Sequence, residues 1–246
     1  MAKRRNWERH DIQRALALYL ITPFGRIHSG NPDIIKLAII INRTPSAVAL
    51  KMSNLVAVDD SINRKGMANA SKLDRQVWHE YLIDPTGVLN ASEIPKVELE
   101  YQQTPDNNFA GFGEGRDIIV SATNRRGQEL FRKSVLTSYE SQCGLTKING
   151  PRLLVASHII GWAESSGTRM NPSNGICLNP LHDKAFDKHL ISFGLDFELL
   201  VAKNIPKDNR DALNDVASNR PRLPNRFLPS QEFLAHHRQR FLELQG

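Results

Sequence analysis

Residues 153–195 read LLVASHIIGWAESSGTRMNPSNGICLNPLHDKAFDKHLISFGL, and the rest of the chain is best understood from this stretch. The run Leu153-Leu154-Val155-Ala156 is short and apolar, which predicts a strand ending at His158. Asn174-Gly175 predicts a tight turn, because both residues tolerate positive φ. A short strand through Ile176, Cys177 and Leu178 comes next, then a helix with Pro180 in its first turn. Asp183 and Asp187 are four apart and share one face of that helix. Ala185, Phe186 and Leu190 supply its apolar side. His182, next to Asp183, lies about a quarter turn away.

A histidine facing a helix of metal-ligating residues across a hairpin suits phosphodiester hydrolysis. That reaction needs an activated water, a cation against the phosphoryl oxygens and a stabilised leaving oxygen. Imidazole titrates near working pH, so His158 is the candidate base. The carboxylates of Asp183 and Asp187 are hard oxygen donors suited to Mg²⁺ or Mn²⁺. Zn²⁺ and Ni²⁺ are kept as alternatives. Read singly, each part is ordinary: a structural histidine, a turn, a solvated pair of carboxylates.

The order His158-Ile159, Asn174-Gly175, Leu181-His182-Asp183 and Phe186-Asp187 resembles the HNH endonuclease family, in the branch that opens on His-Ile and closes on Phe-Asp. Upstream, QELFRK (residues 128–133) and CGLT (residues 143–146) also match that branch. The resemblance implies a ββα-metal fold, cleavage of double-stranded DNA with a divalent metal, and a role in restriction or phage defence. It implies that Asn174 holds the base-bearing loop and fixes the His158 ring by a hydrogen bond, and that Asp183, with Asp187 or His182, holds the metal. Where many relatives carry an acid or histidine before the base, this chain has Ser157. Where many carry glycine, it has His189, which is therefore not carried over. The structural zinc that some relatives hold needs paired CxxC motifs; this chain has only Cys143 and Cys177.

Residues 6–22, 32–39 and 44–55 each show helical periodicity. Pro23 stops the first, Asn31 caps the second and Thr44-Pro45 opens the third. Two helices joined by a short turn, the second opening with Arg43, Thr44 and Ser46, resemble a helix-turn-helix DNA reader. That reading assigns Arg43, Thr44 and Ser46 to the groove and Lys51, Arg64 and Lys65 to phosphates. The plainer reading is a helical bundle that only packs against the nuclease. One more helix is predicted over 71–83. The expected organisation is a helical domain over 1–85, an acidic Pro- and Gly-containing linker over 86–120, and a nuclease domain over 121–246.

That third part should open with a helix over 128–139, its entrance made basic by Arg125, Arg126 and Arg132, which are DNA-backbone candidates. A terminal helix is predicted over 230–244, with His236-His237 as packing and surface. The net charge of +6 divides into +5 for residues 1–85, −4 for 86–115 and +5 for 116–246, two basic blocks suited to a polyanion. Hydrophobic content of 40% and charged content of 24% are those of a globular protein. No apolar run reaches membrane-spanning length, and two cysteines with no export signal suggest the cytoplasm. One base per subunit makes a nick; a double-strand break requires a homodimer or two events. The rival reading is a DNA-binding regulator with an inert HNH-like domain.

Overall fold

The computed structural model describes residues 5–62, 69–92 and 115–245, with the backbone alone for 115–124. The chain begins with five helices: α1 (Arg9–Ile21), α2 (Pro32–Ile40), α3 (Pro45–Val56), α4 (Lys72–Ile83) and α5 (Pro85–Ala91). Their starts are written in the sequence. Asn31, Thr44, Ser71 and Asp84 each accept a backbone N–H in the first turn they precede, and three of the four are followed by proline. Ile12, Leu16, Leu20, Ile34, Met52, Leu55, Val77 and Trp78 close a shared core. No described helix is long and apolar enough to cross a membrane.

Helix α6 (Gly115–Ser138) then leads into β1 (Val155–His158), β2 (Gly175–Leu178) and α7 (Pro180–Asp187). Strands β1 and β2 are antiparallel, with Val155 opposite Leu178 and His158 opposite Gly175. A second hairpin, β3 (Ile191–Phe193) and β4 (Leu199–Val201), is followed by α8 (Lys207–Asn214) and α9 (Gln231–Glu243). The core here joins Phe131 and Val135 of α6, Ile176 and Leu178 of β2, Phe186 of α7, Phe193 of β3 and Leu234 of α9. The α+β class is as expected: a helical N-terminal region followed by a ββα unit.

The linker does not run over 86–120. Asp84 and Pro85 start α5, which packs on α1, α4 and α6, and α6 is already helical at Gly115. Residues 93–114, most of the acidic stretch, lie outside the described residues, as do Arg64 and Lys65. The Asn174-Gly175 turn is also corrected. Asn174 closes a 3₁₀ turn over Pro172–Asn174, and Gly175 has an extended φ of −134°. A long loop, not a two-residue turn, therefore joins β1 to β2. Glycine is required at 175 for space: a Cβ there would stand 2.5 Å from Val135 Cγ2 and 2.8 Å from Phe131 Cζ.

The two cores are joined rather than tethered. Arg226, buried, donates to the carbonyls of Tyr19, Leu20 and Thr22 at 3.1, 2.5 and 3.4 Å, so it caps the end of α1. Tyr19 hydroxyl donates to Asp59 beside it. Met170 and Phe227, from the C-terminal part, are buried in the helical core.

Candidate active site

Strand geometry sends successive side chains to opposite faces. Ser157 turns to α7, where its hydroxyl donates to Asp183 Oδ1 at 2.6 Å. His158 turns to α6, where its ring stacks on Phe131 with centroids 3.7 Å apart. Trp162 meets the same imidazole edge-on at 5.5 Å. The β1–β2 hairpin is thus packed between α6 and α7, and the imidazole and the carboxylate are joined through consecutive residues of one strand.

His158 Nε2 lies 3.1 Å from the carbonyl of Arg169. A carbonyl only accepts, so the neutral ring carries its proton on Nε2 and its lone pair on Nδ1. Burial lowers the His158 pKa to about 4, against a smaller raising effect of the Arg169 carbonyl. The ring is therefore neutral at pH 7, with its lone pair on Nδ1, and a weaker base than a free imidazole. Asn174, fully buried, holds the loop between the strands. Its Oδ1 accepts from Ile160 N at 2.8 Å, and its Nδ2 donates to the carbonyls of Ile160 and Thr168 at 3.0 and 3.4 Å. Its own carbonyl accepts from Ile159 N. Asn174 thus fixes the loop that carries Arg169 and does not bond the His158 ring, which is fixed by Arg169 instead.

On α7, Asn179 caps the helix by accepting from His182 N at 3.0 Å. Asp183 sits in the first turn, where a carboxylate suits the helix dipole. Burial raises its pKa, and nearby Asp187 adds to this, while the Ser157 hydroxyl and Lys184 act the other way. Asp187 is exposed and lies within 3.4 Å of Lys184 Nζ and 3.5 Å of Lys188 Nζ. His182 does not join them. It is buried, with Nδ1 3.2 Å from Asn179 Oδ1 and Nε2 3.2 Å from the Leu213 carbonyl. Among the described residues, no three of His, Cys, Asp and Glu are grouped to hold a metal. His182 is held away from Asp183 by Asn179 and the Leu213 carbonyl, so among His182, Asp183 and Asp187 the two carboxylates remain as the candidate ligands, and no imidazole reaches Asp183 to favour Zn²⁺ or Ni²⁺. The oxygens of Asp183 and Ser157 suit a hard cation that keeps most of its ligands as water and phosphate, as Mg²⁺ and Mn²⁺ do.

The DNA candidates divide. Arg125 and Arg126 are exposed on α6, and Thr44 and Ser46 at the start of α3. Arg132 donates to the Pro151 carbonyl at 2.7 Å. Arg43 is not free for a groove: it bonds Asp11 at 3.2 Å and the carbonyls of Arg5 and Asn6, and lies over the Trp7 ring. Lys51 is buried in an ion pair with Asp74 at 2.6 Å, so it does not reach phosphate. Exposed residues on the outer side of α2 and α3 include Ile35, Ile39, Ile40 and Leu50, a surface better suited to protein packing than to DNA.

Residues 143–194, from the loop before β1 through β3, match the family model described as HNH endonuclease. This segment, about a fifth of the chain, is similar to HNH endonucleases. No curated protein matches the chain. The HNH segment contains His158, Asn174, Asp183 and Asp187, but α6, with Phe131 stacked on the base candidate, and α9 lie beyond it. Sequence reasoning does not find Phe131 or Arg169. Neither has a local signal, because Phe131 reads as helix core and Arg169 as a loop cation.

Proposed function

We propose that the protein is a metal-dependent DNA endonuclease in which His158 takes the proton from the attacking water. The observation that carries this reading is the His158 ring itself: neutral, its tautomer fixed by the Arg169 carbonyl, on the strand residue next to Ser157, whose hydroxyl bonds Asp183 on the other face. His158 Nδ1 accepts the proton. Phe131 and the Arg169 carbonyl hold the ring, and Asn174 holds the loop. Asp183, with the Ser157 oxygen, would bind a hydrated Mg²⁺ or Mn²⁺, which when bound neutralises charge on the phosphate and the leaving 3′ oxygen. Arg125 and Arg126 would meet the DNA backbone. Restriction or phage defence is the setting that the family resemblance suggests.

A second reading, a DNA-binding protein whose HNH segment is inert, is favoured by one observation: the Asp183 oxygen is already bonded to Ser157, without a three-ligand group beside it among the described residues. Titrating Mg²⁺ and Mn²⁺ against supercoiled plasmid separates the two. The nuclease reading predicts nicking that EDTA stops, and a loss of about 100-fold or more in Asp183→Asn at fixed metal. Gel shifts without nicking at any metal concentration would establish the inert reading instead.

A further inference from the structure

Arg169 stands on the loop between β1 and β2, and its backbone already serves the site by accepting from His158 Nε2. Its side chain is held as firmly. Nε donates to the Trp162 carbonyl at 2.6 Å, and the guanidinium carbon lies 5.3 Å from the centroid of the Trp162 ring. Trp162 is the ring that meets His158 edge-on. A half-buried cation seated in this way would ordinarily have a carboxylate partner. Among the described residues Arg169 has none, and the one acid of its loop, Glu164, pairs with Arg240 at 2.8 Å. No described residue accepts from its two terminal nitrogens. Gly127 of α6 packs against Met170 and Trp162, so α6 lies against this loop.

We propose that Arg169 is the phosphate-binding residue of this site, its terminal N–H groups, unclaimed among the described residues, gripping the two non-bridging oxygens of a DNA phosphodiester beside His158. The inference rests on the nuclease reading for the identity of the ligand. A planar fork matches a phosphodiester in two parallel charge-assisted bonds, which a lysine cannot do. A donor fixed in advance by an aromatic face and a backbone carbonyl loses little freedom when the anion arrives.

The test measures binding of a fluorescein-labelled DNA duplex in EDTA, where no cutting occurs, across a salt series. Arg169→Met keeps the stem on Trp162 and removes the charge. It should bind about tenfold more weakly near 0.1 M salt and lower the slope of log K against log salt by about 0.9, the value of one phosphate contact. Arg169→Lys should restore the slope but, with Mg²⁺ added, still cut more slowly at saturating DNA than the wild type. If Arg169→Met does not fold, Arg169→Gln, which retains a donor for the Trp162 carbonyl, carries the same comparison. Wild-type affinity and slope in these variants would overturn the proposal, as would a wild-type protein that does not bind DNA. Arginine-dependent binding without nicking would leave the inference standing and remove the nuclease reading. Nicking with an arginine-independent slope would do the reverse.

Discussion

Gly175 and His158 face each other across the hairpin, and Phe131 touches both. A methyl group at 175 would collide with Phe131 and Val135. Gly175→Ala should therefore destabilise the protein by about 1–3 kcal/mol and displace the imidazole from its stack. Chemical denaturation measures the first effect and the nicking rate the second; a variant of wild-type stability would show that Phe131 yields without cost. The same packing sets a pH dependence. His158, half-buried, and His237, buried, both have pKa values lowered to about 4 by burial, while the unfolded chain binds protons near 6.5. Between those values the unfolded state holds more protons, so stability is full above pH 6.5 and is lost as pH falls towards 4. The loss should be of the order of 2 kcal/mol per histidine, read as a falling melting temperature. A melting temperature constant from pH 7 to 4.5 would contradict the lowered values of both rings. His189 shows how a side chain can occupy a place that suits glycine. It has φ 52° after the end of α7, and its Nδ1 lies 3.1 Å from His237 Nε2.

Helix α7 is legible because its signals are local: the Asn179 cap, Pro180 in the first turn, and the four-residue interval that places Asp183 and Asp187 on one face. Removing the cap in Asn179→Ala should cost about 1 kcal/mol and loosen His182, whose ring Nδ1 meets the same oxygen. Unchanged stability would show that the helix start is held by tertiary contacts alone. Elements governed by distant partners are not legible. Helix α5 reads as linker, although Asp84-Pro85 opens it, because it runs into a stretch dominated by Pro, Gly and acidic residues. Helix α8 buries only Leu213, so it has almost no apolar period. Asn174-Gly175 has turn chemistry, yet its glycine answers to α6, far earlier in the chain. Lys51 and Arg43 read as DNA contacts because nothing near them in sequence shows that Asp74 and Asp11 neutralise them.

The helical region is built into the base-bearing loop. Met170 is buried in the helical core, and Thr86 of α5 donates to the Ser166 carbonyl at 2.9 Å. Arg226 joins the other side by capping α1. Removing Arg226 would take away the donor it gives to the Leu20 and Thr22 carbonyls, while Tyr19 O keeps the Thr22 N–H, so Arg226→Met should destabilise the whole chain by about 1–3 kcal/mol. A single cooperative unfolding transition is expected, at lower denaturant than the wild type. Two separated transitions in the wild-type protein would contradict the joint. The basic blocks flanking an acidic stretch are consistent with a polyanion, but charge alone does not point to a family; the ordered motif from His158 to Asp187 is what resembles HNH endonucleases.

The central claim is that the His158 imidazole takes the proton from water at a DNA phosphate, and the single-turnover nicking rate of His158→Ala in Mg²⁺ or Mn²⁺ tests it most directly. The account predicts a fall of about 100-fold or more against the wild type, with DNA affinity in EDTA nearly unchanged. A His158→Ala protein that is folded and nicks at the wild-type rate would contradict it.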